Sequence, residues 1–350
     1  MKTTIKIFFS FLLLVAGITI CAAQTPTDKT KTPNGYHLLK KIEIGGEGGW
    51  DYLFADSDAH RLYVSRATKV VVIDTETGAA IGEIPDTKGV HGIAVADKLG
   101  KGFTSNGRDD SVTIFDLKTL KRIVDVKVGK NPDAIIYDAA TRRIFTFNGG
   151  SSDATVIEAE SGKVAGTIAL GGKPEFAAAD GKGTVYVNIE DKSEVAQIDS
   201  KKIVVKARWS VAPGVEPSGM AIDAKNHRLF VVCGNQKMIV LNADNGKVIA
   251  DLPIGDGTDA AVFDPKTNFA FSSNGAGTLT VVREDSADKF SVVENVTTQR
   301  GARTMALDTK TGRIYLATAA FGETPAPTAE RPRPRPAIVP NSFVILVFGK

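Results

Sequence analysis

Six residues that could do chemistry recur along the chain at intervals of about 40 residues or a multiple of it. They are four carboxylates, one histidine and one arginine: Asp51, His91, Asp133, Glu175, Asp259 and Arg303. Carboxylate oxygens that converge on one point suit Ca²⁺ or Mg²⁺, which makes the four acidic residues candidate metal ligands. Neighbouring carboxylates also shift one another's pKa values, and His91 could carry a proton, which makes it the candidate catalytic residue. Both interpretations require a fold that brings the six together.

A repeat of about 42 residues is the element that would position them. In each of seven units, an aspartate ends a short apolar segment and an aromatic residue follows six or seven positions later. The aspartates are Asp56, Asp97, Asp138, Asp180, Asp223, Asp264 and Asp308. Each unit continues with further short runs rich in β-branched residues, separated by Gly, Asn and Asp turns. Four short strands in about 42 residues are typical of one propeller blade, and we expect the repeat aspartates to lie in turns.

The two ends of the repeat region complement each other. The seventh unit stops after a third strand, Phe343–Phe348, whereas the segment Tyr36–Gly45 before the first unit has the pattern of a fourth strand. Pairing them would cover two sheet edges that otherwise invite aggregation. The sequence therefore predicts an all-β fold over residues 36–350: one seven-bladed β-propeller of four-stranded antiparallel blades, closed by the N-terminal strand. A pair of β-sandwiches would not predict this complementarity.

The second strands carry a resemblance to a known repeat. Phe103-Thr-Ser-Asn106, Phe145-Thr-Phe-Asn148 and Phe271-Ser-Ser-Asn274 resemble the YVTN-type repeat, and residues 36–350 resemble the YncE-like family of exported seven-bladed propellers. The resemblance implies the fold and an extracytoplasmic protein. For some members it also implies binding of single-stranded DNA.

The fold predicts where the six candidate residues lie. First strands line the central channel of a propeller, so residues at their start share one channel mouth. Counting five residues back from each repeat aspartate gives Asp51, Gly92, Asp133, Glu175, Ser218, Asp259 and Arg303, with His91 beside Gly92. Three roles stay open for this set: capping of turns or a solvated rim, a small-ligand or metal site, and catalysis.

The last unit contains a long insertion, residues 319–342. Arg331, Arg333 and Arg335 alternate there with proline, a pattern that favours an extended polyproline II conformation. Three cations held in this way could bind an anionic partner, including a nucleic-acid backbone. Alternatively, they could pair with acidic residues of the same face.

Charge and cysteine content exclude several classes of protein. The chain has 43 Lys and Arg against 40 Asp and Glu, a net charge of +3. Residues 1–23 have the pattern of a secretory signal peptide, with Lys2 and Lys6 before an apolar run, and their removal leaves +1. A dedicated nucleic-acid binder has a larger basic excess. Cleavage after Ala23 would also leave Cys233 alone, which excludes a disulfide framework and a cysteine-based zinc site.

These observations favour an exported, non-catalytic binding or scaffolding propeller, periplasmic or extracellular. Residues 24–35 would be a linker, and lipid anchoring at Cys21 is less favoured because Ile20 precedes it. We expect a monomer without a later membrane span, whose loop-rich face and channel mouth bind a protein or small-molecule ligand. The first alternative is a metal-dependent lactonase or hydrolase type of enzyme at the mouth, and the second is single-stranded DNA binding.

Overall fold

The computed structural model describes residues 35–326 and 336–350, together with Met1, Thr328 and Pro334. Tyr36–Lys350 forms one compact unit. The predicted signal peptide beyond Met1 and most of the predicted linker lie outside the described residues, and so do Arg331, Arg333 and Arg335. In the part of the chain that is described, no helix has the length and apolar character needed to cross a membrane.

The described residues form seven antiparallel sheets of four strands each, which we number as blades 1 to 7. Blades 1 to 3 consist of β2 (Leu53–Asp56), β3 (Arg61–Arg66), β4 (Lys69–Asp74) and β5 (Ala80–Ile84); β6 (Val90–Ala96), β7 (Lys101–Asn106), β8 (Ser111–Asp116) and β9 (Arg122–Lys127); and β10 (Pro132–Asp138), β11 (Arg143–Asn148), β12 (Asp153–Glu158) and β13 (Val164–Ala169). Blades 4 to 6 consist of β14 (Pro174–Ala179), β15 (Thr184–Ile189), β16 (Glu194–Asp199) and β17 (Val204–Ser210); β18 (Pro217–Asp223), β19 (Arg228–Cys233), β20 (Lys237–Asn242) and β21 (Val248–Pro253); and β22 (Thr258–Asp264), β23 (Phe269–Asn274), β24 (Thr278–Ser286) and β25 (Lys289–Thr297). Blade 7 consists of β26 (Thr304–Asp308), β27 (Arg313–Thr318), β28 (Val344–Gly349) and β1 (His37–Glu43).

Blade 7 closes the ring in the predicted manner. Its strand order is β1-β28-β27-β26, so the N-terminal strand supplies the outer strand of the last blade. The two chain ends pair antiparallel, with His37 opposite Gly349 and Glu43 opposite Val344. Closure therefore uses the strand that the seventh unit lacks, and the all-β propeller prediction is confirmed.

Burial explains the strand pattern within a blade. Every residue of β19, a second strand, is buried, because blades pack against both of its faces. By contrast, β17, a fourth strand, alternates between exposed and partly buried residues at the outer rim. The repeat aromatic residues Phe103, Phe145 and Phe271 are fully buried in the apolar layers of the propeller. The aromatic residues therefore recur because these positions must fill the close-packed layers between blades.

Five of the seven repeat aspartates are the last residue of a first strand, and their side chains accept hydrogen bonds from the turn that follows. Asp138 accepts hydrogen bonds from the Ala140 backbone N–H (3.2 Å) and the Thr141 hydroxyl (2.6 Å). Asp264 does the same with Lys266 (3.0 Å) and Thr267 (2.7 Å). Turn chemistry explains their recurrence.

Candidate ligand site at the channel mouth

A shared irregularity positions the candidate residues at the start of the first strands. In blades 2 to 6, the pairing of the first strand with the second shifts register at its first residues. The second residue of each strand sits at this β-bulge: His91, Asp133, Glu175, Ser218 and Asp259. Bulges re-aim side chains, which accounts for one polar residue per blade at the same level of the channel.

The structure places His91, not Gly92, at the position equivalent to Asp133. In blade 2 the last residue of the first strand, Ala96, pairs with Lys101, as Asp138 pairs with Arg143 in blade 3. The repeat aspartate of blade 2 therefore comes one residue late, at the start of a short 3-10 helix, Asp97–Leu99. Counting five residues back from Asp97 therefore gives Gly92, one residue past the equivalent position, which His91 occupies.

The YVTN-like segments hold the mouth in place. In two of the three segments the third residue is a serine that bonds the backbone of the next blade: the Ser105 hydroxyl donates to the Asp133 carbonyl, and the Ser273 hydroxyl to the Arg303 carbonyl. In blade 4, Asn188 Nδ2 donates to the Ser218 carbonyl at 2.7 Å. These side chains are buried, so the repeat motif fixes the position of the mouth residues without facing the channel itself.

Three of the candidates meet in one cluster. His91 Nδ1 lies 2.5 Å from Asp51 Oδ2 and 3.6 Å from Asp133 Oδ1. One ligand atom from each residue fits within a mutual separation of 4.8 Å, so the three could hold a metal ion. Asp133 Oδ1 is buried and has no hydrogen-bond partner among the described residues. Asp51, His91 and Asp133 come from three consecutive blades, so the packing of neighbouring blades around the channel brings them together.

Burial and neighbouring charges oppose each other in this cluster. Burial lowers the pKa of His91, but the hydrogen bond to Asp51 and the charges of Asp133 and Asp51 outweigh it, so the pKa is raised. Burial raises the pKa of Asp133, and the His91 charge only partly offsets this effect. The cluster therefore favours a cation between its carboxylates.

The other two acidic candidates are already paired. Lys173 Nζ lies 2.6 Å from Glu175 Oε1 and also binds Glu190, whereas Arg303 Nε lies 3.3 Å from Asp259 Oδ2. Burial and the Asp133 charge raise the pKa of Glu175, and burial raises the pKa of Asp259 to about 7 despite Arg303. The predicted site of four carboxylates is thus divided by two cations.

Sequence reasoning missed Lys173 and Glu190. Lys173 directly precedes β14, and Glu190 begins a short 3-10 helix after β15. Their signal was only that a lysine stands two residues before Glu175.

Tyr52, also missed, lies beneath the mouth. It directly follows Asp51, is only 7% exposed, and its ring packs edge-on against Phe176 with centroids 5.1 Å apart. Burial and then the charges of Asp133, Asp51, Asp259 and Glu175 raise its pKa well above the usual value. Its hydroxyl therefore lies within electrostatic range of all four acidic candidates.

The rings of Tyr52 and Phe176 line an apolar cavity of the channel. The cavity that they border has a volume of about 410 Å³. Its walls are residues of the first strands of blades 1 to 4, mostly alanine, isoleucine and valine, including Ile93, Ala134 and Ala178. The channel beside the mouth therefore offers a polar ligand few hydrogen-bond partners.

The mouth carboxylates do not cap turns. Among the described residues, the hydrogen bonds and ion pairs of Asp51, Asp133, Glu175 and Asp259 side chains involve His91, Lys173 and Arg303, not backbone N–H groups. Ser218, the uncharged member of the set, donates at 3.4 Å to the Thr258 carbonyl of the next blade. The turn-capping alternative therefore lacks support at these positions.

The insertion of blade 7 begins and ends as a hairpin on the same face. Phe321 pairs with Ile338, and the ring centroids of Phe321 and Trp50 lie 6.2 Å apart. A groove of about 440 Å³ runs between this hairpin and Arg303. The three arginines of the predicted anion-binding segment lie outside the described residues, so their role stays a prediction.

Comparisons with known proteins agree on the architecture. No protein-family model matches the chain, and no curated protein matches it. A chain of a mitotic checkpoint complex superposes with a TM-score of 0.72 at 12% identity, covering 98% of this chain and 99% of that one. Hydrazine synthase of Kuenenia stuttgartiensis gives 0.68 at 17% identity (77% and 92%), and the WD40 repeats of RRP9 give 0.71 at 8% (90% and 97%). These similarities show the seven-bladed propeller fold alone.

Proposed function

We propose that the protein is an exported binding propeller of the YncE-like, YVTN-repeat kind, whose channel mouth holds a small cationic ligand. One observation carries the proposal: Asp133 Oδ1 is buried at the mouth without a hydrogen-bond partner among the described residues. A buried carboxylate oxygen left without a donor costs free energy, and a bound cation would remove that cost. A related propeller fold in a mitotic checkpoint complex is consistent with a binding role.

The charge balance of the mouth supports a cation. Five carboxylates face two permanent cations and one histidine: Asp51, Asp133, Glu175, Glu190 and Asp259 against Lys173, Arg303 and His91. With all five carboxylates ionised and His91 protonated, two negative charges remain in excess, and the raised pKa values of Glu175 and Asp259 reflect this excess together with burial. A dication would balance the two charges, whereas a phosphate group would be repelled. The mouth is therefore a poor site for single-stranded DNA.

The ion pairs support binding over catalysis. Lys173 and Arg303 fix Glu175 and Asp259 in place, which leaves the cluster around Asp133 to contact a ligand. Export is supported by the charged and apolar pattern of residues 1–23, which precedes the propeller.

A panel of dications tests the proposal. Purified protein is titrated by calorimetry with Mg²⁺, Ca²⁺, Mn²⁺, Zn²⁺ and 1,4-diaminobutane at constant ionic strength, and the same ligands are added in thermal melts. We expect at least one dication to bind at one site per chain and to raise Tm. Asp133→Asn should weaken that binding at least tenfold.

Asp244→Asn is the matched control, because Asp244 also contacts a histidine but lies on the opposite face. His227 Nδ1 is 2.8 Å from Asp244 Oδ1, and the two side chains are 44% and 63% exposed. This variant should bind as the unaltered protein does. The proposal is wrong if no dication binds, or if the two variants lose affinity equally.

A further inference from the structure

The three residues of the mouth cluster offer one nitrogen and two oxygen ligands. Asp51 Oδ2 and His91 Nδ1 are 2.5 Å apart, and Asp133 Oδ1 lies 3.6 Å from the same nitrogen. At 2.5 Å the first two atoms share a proton. A metal ion that replaced this proton would gain both atoms as ligands and release the proton to solvent. Asp133 would supply the third ligand from the neighbouring blade.

We propose that the cation at the mouth is a divalent transition metal ion of the Zn²⁺ class, bound by Asp51, His91 and Asp133. This inference rests on the proposed function and specifies its ligand. Imidazole suits Zn²⁺ and the neighbouring metals of the first transition row. Ca²⁺ instead takes about six to eight oxygen ligands. Because Lys173 holds Glu175 and Arg303 holds Asp259, the oxygens for such a shell are not at hand.

Two separate observations favour the cluster as a ligand site. Asp133 Oδ1 is buried and lacks a hydrogen-bond partner among the described residues. Tyr52 is more than nine-tenths buried, and its hydroxyl has no hydrogen bond to any described residue although it lies in the field of Asp51 and Asp133. A tyrosine hydroxyl and a carboxylate oxygen near the mouth that both lack protein hydrogen-bond partners suit a hydrated ion.

The set of ligands also has the composition of an open site. Three protein ligands leave a fourth position of a tetrahedral ion for water or an external ligand. This position would face the mouth, because the Tyr52 and Phe176 rings border the apolar channel on the other side. The ion could therefore bridge the propeller to a further anionic group.

The chain contains its own control for this inference. His227 and Asp244 form a second histidine–aspartate contact, at 2.8 Å, on the opposite face. Within the described residues, the grouping of three potential metal ligands occurs at Asp51, His91 and Asp133 and not at this second pair. Both pairs have the same chemistry, but only the first has a third ligand and a buried setting.

Calorimetry with ZnCl₂ and absorption spectroscopy with CoCl₂ as a probe test the assignment. We expect one Zn²⁺ per chain and visible Co²⁺ bands that Zn²⁺ displaces. His91→Asn should weaken Zn²⁺ binding at least a hundredfold and abolish the Co²⁺ bands, whereas His227→Asn should leave both intact. His91→Gln serves as a second variant, and circular dichroism checks that each variant is folded.

The outcomes separate this inference from the proposed function. Equal losses in His91→Asn and His227→Asn, or no Zn²⁺ and Co²⁺ binding by the unaltered protein, would overturn the metal assignment. If 1,4-diaminobutane or Ca²⁺ binds in a manner that depends on Asp133 while Zn²⁺ does not, the metal assignment fails and the cationic-ligand proposal stands. If no dication binds, both fail.

Discussion

The first strand of blade 3 carries an aspartate near each end, and the two side chains have opposite surroundings. Asp138 at the far end is completely buried and accepts hydrogen bonds from its own turn and from the Ser200 hydroxyl (2.6 Å) of the neighbouring blade. Asp133 at the channel mouth is 16% exposed, and one of its oxygens has no hydrogen-bond partner among the described residues. Five positions along one strand thus separate a satisfied carboxylate from an unsatisfied one.

Blade 6 repeats the contrast. Asp264 is held by Lys266 and Thr267 of its own turn, whereas Asp259 has Arg303 of the next blade at 3.3 Å. Burial raises the pKa of Asp259 to about 7. The comparison teaches that recurrence alone does not distinguish the two roles. A carboxylate that accepts hydrogen bonds from its own turn has a structural role. A carboxylate that lacks hydrogen-bond donors in the folded protein is available to a ligand.

Among the substitutions, the largest effect on stability should come from removing a satisfied carboxylate. Asp138→Ala leaves the Thr141 and Ser200 hydroxyls and a turn N–H without their acceptor, so we expect a loss of about 3 kcal/mol in the free energy of unfolding. Urea denaturation measures it.

Asp133→Asn is the matched variant on the same strand. It removes a poorly satisfied buried charge and should leave stability unchanged or raise it by about 1 kcal/mol. A smaller loss in Asp138→Ala than in Asp133→Asn would break the comparison.

The second prediction concerns pH. The pKa of Asp259 is about 7 in the folded protein, against a usual value near 4, so the folded state holds a proton that the unfolded state has released. Stability should therefore fall as pH rises from about 4 through 7, by at most about 4 kcal/mol. The groups that act on this carboxyl are Arg303, which lowers its pKa, and Asp51, Asp133 and Glu190, which raise it.

Thermal melts between pH 5 and 8.5 at constant ionic strength test this prediction. We expect Tm to fall with pH in the unaltered protein and to fall less steeply in Asp259→Asn. Asp256→Asn removes the same charge from an exposed position in the preceding loop and should retain the full slope. Identical slopes in all three proteins would contradict the assignment.

The repeat made the fold and the level of the site predictable, because both depend on local spacing. An aspartate-to-aromatic distance within one hairpin recurs seven times, and the register of each first strand then places Asp51, Asp133 and Asp259 at one end of the channel. The missing fourth strand of the last unit predicted closure for the same reason.

The partners of these residues were not predictable, because they depend on contacts between blades. Lys173 divides the acidic set by binding Glu175, and it does so from a loop position that the spacing does not distinguish. His91 rather than Gly92 occupies the position equivalent to Asp133, because the 3-10 helix after β6 places the repeat aspartate Asp97 one residue later than in the other blades. A period in the sequence specifies position along the channel but not which side chains pair there.

The smallest effect on stability, and the sharpest test of the mouth, should come from a tyrosine hydroxyl. Tyr52→Phe removes a hydroxyl without a hydrogen-bond partner among the described residues, so we expect a stability change within about 0.5 kcal/mol. Affinity for the dication that the mouth binds should nevertheless fall about threefold to tenfold, because the hydroxyl lies beside the proposed ligand. Tyr186→Phe is the matched change: its buried hydroxyl donates to the Ala243 carbonyl at 3.0 Å, and its loss should cost about 1 kcal/mol with unchanged affinity. If both variants lose stability alike and neither loses affinity, the Tyr52 hydroxyl is part of the fold and the contrast between the mouth and the opposite face does not extend to it.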